Sequence, residues 1–148
     1  MRKQPQAKAS SRVSKTPRTA VGLPSAADQR PAWRLARLDY DGRWGWGKIS
    51  DPDLKAVVRF IQEMERVTWK EIRAMRTGGG KRRSAKHKFI PMESCIPDAQ
   101  KRLRALHLEE YDGSWFRFRL MGEQRLWGVL MDACFLPVWW DPEHEVCP

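Results

Sequence analysis

Residues 114–148 read SWFRFRLMGEQRLWGVLMDACFLPVWWDPEHEVCP, and this stretch decides the fold. Phe116, Phe118 and Leu120 alternate with Trp115, Arg117, Arg119 and Met121, the two-residue period of a half-buried strand. Gly122-Glu123 makes a short turn, after which Leu126, Gly128 and Leu130 alternate with Arg125, Trp127, Val129 and Met131. Asp132-Ala133 turns the chain again, and Cys134 to Trp140 forms a third run. Three strands joined by two tight connections predict an antiparallel meander. Pro137 removes a backbone donor from the third run, which places it at an edge or a bulge.

Upstream of the meander the periodicity changes. Trp33 to Tyr40 can form a first strand, closed by Asp41-Gly42, and Trp44 and Trp46 then cover the edge of the core. Asp51-Pro52 opens a helix with Asp51 as N-cap, and its apolar stripe is Leu54, Val57, Val58, Ile61 and Met64. Thr68-Trp69-Lys70-Glu71 is a capping box for a second, short helix that ends by Thr77, before Gly78-Gly79-Gly80. A further helix is predicted from Pro97 to Leu106, and Tyr111-Asp112-Gly113 turns into the meander. The expected architecture is α+β: a small antiparallel sheet, made of the N-terminal strand and the meander, packed on two to three helices.

Charge divides the 148 residues further. The net charge is +10, yet residues 1–31 hold seven Lys/Arg against one Asp, and residues 76–88 hold six with no acid. The rest of the chain carries slightly more acid than base. Residues 1–31 lack aromatics and are rich in Lys, Arg, Ser, Ala and Pro, the composition of a disordered basic tail. Residues 32–148 are then read as a single domain with a basic, Gly-rich loop at 76–90. Within it Lys81, Arg82, Arg83, Lys86 and Lys88 can neutralise phosphates, with His87 as an exposed companion. Two separate basic segments favour a nucleic-acid partner. Lys81 follows glycines, but the spacing of a P-loop is absent. Cys95, Cys134 and Cys147 are odd in number and form no paired motif, so the expectation is a reducing, cytoplasmic setting with no disulfide framework and no metal. No apolar run is long enough to span a membrane.

The segment Arg119-Leu120-Met121-Gly122-Glu123-Gln124-Arg125-Leu126-Trp127, followed by a third strand and His144, resembles the arginine hairpin and terminal histidine of RelE/ParE-type toxins. The resemblance covers about the last third of the chain. It implies a RelE-like fold and a metal-independent, cofactor-free endoribonuclease that cleaves ribosome-bound mRNA and is paired with an antitoxin protein. Arg119, Arg125 and His144 would carry the chemistry, with Glu143 as a base or as a partner of His144. Arg117 and Trp127 share the strand faces of the two hairpin arginines and would touch the nucleic acid. Guanidinium groups suit a charged phosphorane, and an imidazole suits proton transfer near neutral pH. Two other readings remain open: a non-catalytic nucleic-acid-binding module, and a ParE-like topoisomerase inhibitor.

Overall fold

The computed structural model describes residues 25–78 and 83–148. Residues 1–24 of the basic tail, and Lys81 and Arg82 of the basic loop, lie outside the described residues. The chain is mixed α+β. Its strands are β1 (Ala32–Trp33), β2 (Arg76–Thr77), β3 (Ser84–Ala85), β4 (Lys88–Phe89), β5 (Trp115–Arg119), β6 (Arg125–Met131) and β7 (Cys134–Asp141). Its α-helices are α1 (Asp51–Met64), α2 (Trp69–Ala74) and α3 (Pro97–Ala105). Five strands form one sheet in the order β1-β7-β6-β5-β4, while β2 and β3 pair only with each other. No described helix is long and apolar enough to cross a membrane.

The meander forms as its alternation requires. Phe118 pairs with Leu126, Trp127 with Trp139, and Leu130 with Phe135. Phe116, Phe118, Leu126 and Phe135 join Val57 and Phe60 of α1 and Trp69 and Ile72 of α2 in one core. Trp115, Trp127, Val129 and Trp139 point the other way, into a second core with Ala99 and Leu103 of α3. The strands were read as half-buried, but the sheet is covered on both faces. That explains why six of the seven residues of β6 are buried.

Differences elsewhere have local causes. The first strand shrinks from Trp33–Tyr40 to Ala32–Trp33, which runs parallel to β7. Ala32 N–H and Arg34 N–H donate to the carbonyls of Ala133 and Phe135, but the next outward position of β7 is Pro137, which has no N–H to extend the ladder. The register slips there, with Gly128 facing Pro137 while Trp127 faces Trp139. Past this bulge the loop around Trp44 takes over the edge: Trp140 N–H donates to the Trp44 carbonyl, and Trp46 Nε1–H to that of Val138. Trp44 and Trp46 thus clasp β7 from opposite faces.

Helix α1 is capped by Ser50, whose hydroxyl accepts from Asp53 N–H at 3.3 Å, rather than by Asp51. Its buried stripe is Val57, Phe60 and Met64, so Leu54 and Val58 face solvent. The Thr68 cap of α2 and the span of α3 follow the predicted pattern. The basic loop supplies what the sequence reading lacked, namely the β2–β3 hairpin and the edge strand β4. Ser25 to Pro31, read as part of the tail, carry a short 3-10 turn at Ala26–Asp28, and the Gln29 carbonyl accepts from Trp69 N–H.

Phe118 is the centre of the α1–α2 core. It has no solvent exposure, and its ring meets those of Trp33, Phe60, Trp69, His87, Phe116 and Phe135 at 4.9–5.8 Å. Replacing Phe118 with Ala is expected to destabilise the protein by about 3–5 kcal/mol. Urea denaturation measures it, and a midpoint that barely moves would contradict this packing.

Candidate functional site

The tight turn at Gly122-Glu123 sets Arg119 and Arg125 directly opposite each other in the β5–β6 ladder. One step along, Arg117 lies opposite Trp127 on one side and Lys88 on the other. Cross-strand partners share a face, so Lys88, Arg117, Arg119 and Arg125 gather towards one end of the sheet. Like charges at this range repel and ordinarily acquire carboxylate partners. Among the described residues the ion pairs are Arg43 with Asp98, Arg43 with Glu145, and Arg102 with Asp39, and none of the four joins one.

Arg125 and Arg117 are 4% and 8% exposed. Arg125 Nη1 donates to the carbonyls of Gly122 and Gln124 at 2.7 and 2.9 Å, and Arg117 Nη2 donates to the Lys86 carbonyl at 3.4 Å. The Nε–H groups of both are buried without a partner. Burial, and then the charges of Arg117 and Arg119, push Arg125 down to about 10. Burial and Arg119 lower Arg117 as well. Arg125 is thus a buried cation held without an ion-pair partner among the described residues.

Asp141 ends β7, opposite Arg125, and is fully buried. Its carboxylate accepts from Trp127 Nε1–H at 3.2 Å, Glu145 N–H at 2.8 Å and Val146 N–H at 3.0 Å. These bonds fold the chain end back over the sheet, and Val146 locks it there by accepting from Ile96 N–H. His144 lies within this returning loop, in the left-handed region at φ 57°. It is half-buried, and its Nε2 has no partner. Burial, followed by the charges of Arg125 and Arg117, lowers its pKa below the usual 6.5, with Asp141 opposing. The imidazole is therefore neutral at pH 7 and within electrostatic range of both arginines. Glu143 is exposed, and its carboxyl is held above the usual range by the hydrogen bond that its protonated form donates to Glu145 and by that residue's charge.

The remaining sequence candidates fall into two groups. Arg83 is exposed on the hairpin, and Lys86 and Lys88 are half-buried beside the cluster. Trp127 and His87 are enclosed and present no ring to a base. Trp127 has no exposure and stacks on Trp115 at 5.7 Å. His87, expected to be exposed, is 1% exposed and packs edge-on against Phe60 and Phe118. Its Nδ1 accepts from Arg119 N–H at 3.0 Å, so the side chain occupies the place of a neighbouring strand's carbonyl. Burial, then the charges of Lys86 and Arg117, hold its pKa down at about 3. Sequence reasoning also missed Asp141 as the organiser of the site. The available signal was Asp-Pro directly after an apolar strand, which marks a carboxylate at a strand end where the chain reverses.

Compared with models of protein families, with curated proteins and with solved structures, the chain matches none. The chemistry of the site therefore rests on its own residues. Three buried N–H or ring-nitrogen groups without partners, on Arg117, Arg125 and His144, lie in a region of excess positive charge. Unpaired buried polar groups are rare in folded proteins and call for a reason. An anion carrying several oxygens would satisfy the arginine donors and offset the charge.

Two expectations follow. A buried cation with weak partners is unfavourable for folding, and an apolar side chain of similar length removes that penalty. Arg117→Met should therefore raise the melting temperature by several degrees while weakening phosphate binding at least tenfold; a large drop in melting temperature would mark Arg117 as structural. His87 is neutral in the fold but takes up a proton near pH 6.5 when unfolded, so its contribution is present above pH 6.5 and lost as pH falls towards 3. Between pH 7.5 and 4.5 the wild type should lose about 2–3 kcal/mol more stability than His87→Gln. Urea titrations at the two pH values measure this, and equal losses would mean that the imidazole is not held neutral.

Proposed function

We propose that the chain is a RelE-like endoribonuclease toxin that cleaves mRNA on the ribosome and is held in check by an antitoxin protein. The observation that carries this reading is the set of arginines without ion pairs gathered at one end of the sheet, within electrostatic range of a neutral histidine. Cleavage by the RNA's own 2′-hydroxyl needs a proton acceptor and a cationic cradle. In the proposed step the neutral His144 takes the 2′-hydroxyl proton as the O2′–P bond forms. Arg117, Arg119 and Arg125 face the charge that builds on the phosphorane. The P–O5′ bond breaks, the departing oxygen takes a proton from water, and the hydroxide so formed takes the proton from the His144 imidazolium, leaving a 2′,3′-cyclic phosphate, a 5′-hydroxyl and neutral His144. Lys86, Lys88 and Arg83 extend the positive surface along the backbone of the same strand.

One observation favours the non-catalytic alternative. The two carboxylates closest to His144 in sequence on its N-terminal side are both engaged, Asp141 by three donors and Glu143 with Glu145. In that reading the same arginines hold RNA phosphates without cutting.

Incubating the purified chain with an mRNA fragment, with and without ribosomes, separates the two. The expected result is discrete 5′-hydroxyl ends that require the ribosome, with cleavage by His144→Ala slower by about a hundredfold or more. Salt-dependent RNA binding with no cleavage under either condition would establish the binding module instead. Neither binding nor cleavage would overturn both readings.

A further inference from the structure

A cavity of about 300 Å³ opens between α1 and the tip of the β5–β6 hairpin. Phe60 and Met64, both nearly buried, form its apolar floor, and Leu120 and the exposed Met121 form its lip. Arg59, Lys86 and Arg119 bring three cations to its lining, and Glu63 and Gln124 bring a carboxylate and an amide. The side chains of these five polar residues make no hydrogen bond or ion pair among the described residues. One residue, Arg119, belongs both to the lining of this cavity and to the cationic cluster, and a second lining residue, Lys86, is bonded to the cluster through its backbone. Arg119 lies opposite Arg125 in the sheet, and the carbonyl of Lys86 accepts from Arg117.

We infer that this cavity receives one nucleobase of an RNA strand, flanking the phosphate held by the arginine cluster. The inference rests on the reading of that cluster as an RNA-phosphate site and adds to it a base-reading subsite. The volume is at the small end of ligand pockets, and an apolar floor with a few converging polar groups is their usual make-up. Glu63 gives the ligand its chemical class. A carboxylate in a site built for phosphate alone would repel the ligand, whereas beside a base it accepts from an exocyclic amine. Gln124 can donate and accept on the same edge. The favoured bases are therefore those that bear an amine, with uracil disfavoured. Arg119 stands between the two subsites and sets the spacing of base and phosphate.

The test is fluorescence anisotropy with labelled eight-nucleotide RNAs of adenosine, cytidine, uridine and abasic ribose phosphate. The expected result is that adenosine or cytidine RNA binds about tenfold more tightly than uridine or abasic RNA. Ala56→Trp, which fills the cavity from α1, should bring all four to the abasic affinity. Should that substitution disturb α1, Glu63→Gln leaves the cavity open and should by itself remove the preference over uridine. Equal binding of all four RNAs by the wild type would overturn the base subsite and leave the phosphate reading standing. No binding of any of them, abasic RNA included, would overturn the phosphate reading and this inference with it. A preference that survives both substitutions would place base reading elsewhere on the protein.

Discussion

A single carboxylate with no solvent exposure, that of Asp141, holds the end of this sheet together. It accepts three N–H donors, one from the sheet and two from the chain that follows. Without it the returning loop would lose two of the bonds that fix its direction, Trp127 would bury an unsatisfied indole N–H, and Arg125 would lose an opposing charge. Its hydrogen bonds go to neutral donors, and Arg125, directly across the ladder, has no ion pair among the described residues. The same group thus orders a site whose cations lack ion pairs among the described residues. Buried cations without ion pairs are a cost to the stability of the fold.

The two cores on either side of the sheet explain why the arrangement persists. Each face of β5, β6 and β7 is covered by helices, so a stack of aromatic rings fixes the ladder's register before any charge is considered. A one-residue slip would send Phe116 and Phe118 to the face of Trp115 and would carry Arg117 and Arg119 into the α1–α2 core. The register that buries the rings is the register that gathers the arginines. A second buried hub, Asp39, does comparable work at the far edge, where it accepts from Arg102, Trp139 Nε1–H and Gly42 N–H.

What could be read from the chain, and what could not, follows from the range of the forces involved. Alternation between Trp115 and Asp141 is local, so the meander and its turns were legible, as were the Thr68 cap and the start of α3. Burial on both faces was not, because it depends on which helices arrive from elsewhere. Leu54 and Val58 fit a helical stripe as well as Phe60 does, and only tertiary packing rotates α1 to favour Phe60. His87 sits among lysines in a segment whose composition says surface, and its burial depends on a rim left by Phe60 and Phe118 and on the unpaired N–H of Arg119. Arg119, Arg125 and His144 could be singled out from type and spacing. That Arg125 would be buried, and that Glu143 would turn to Glu145, are facts of the folded surroundings.

The eight tryptophans have a consequence beyond packing. Six of them are buried, and within the core on one sheet face Trp115 stacks on Trp127 and meets Trp139 edge-on. Indoles this close share their excited states. Trp115 and Trp127, nearly parallel at 18°, form a coupled chromophore whose optical activity depends on their mutual angle. Trp127 is bonded to Asp141, and Asp141 to the backbone of the loop that carries His144. The coupled indole pair is thus joined through Asp141 to the loop that carries His144, so a change in that loop's position that altered the angle between the rings would change the near-ultraviolet circular dichroism without any added label.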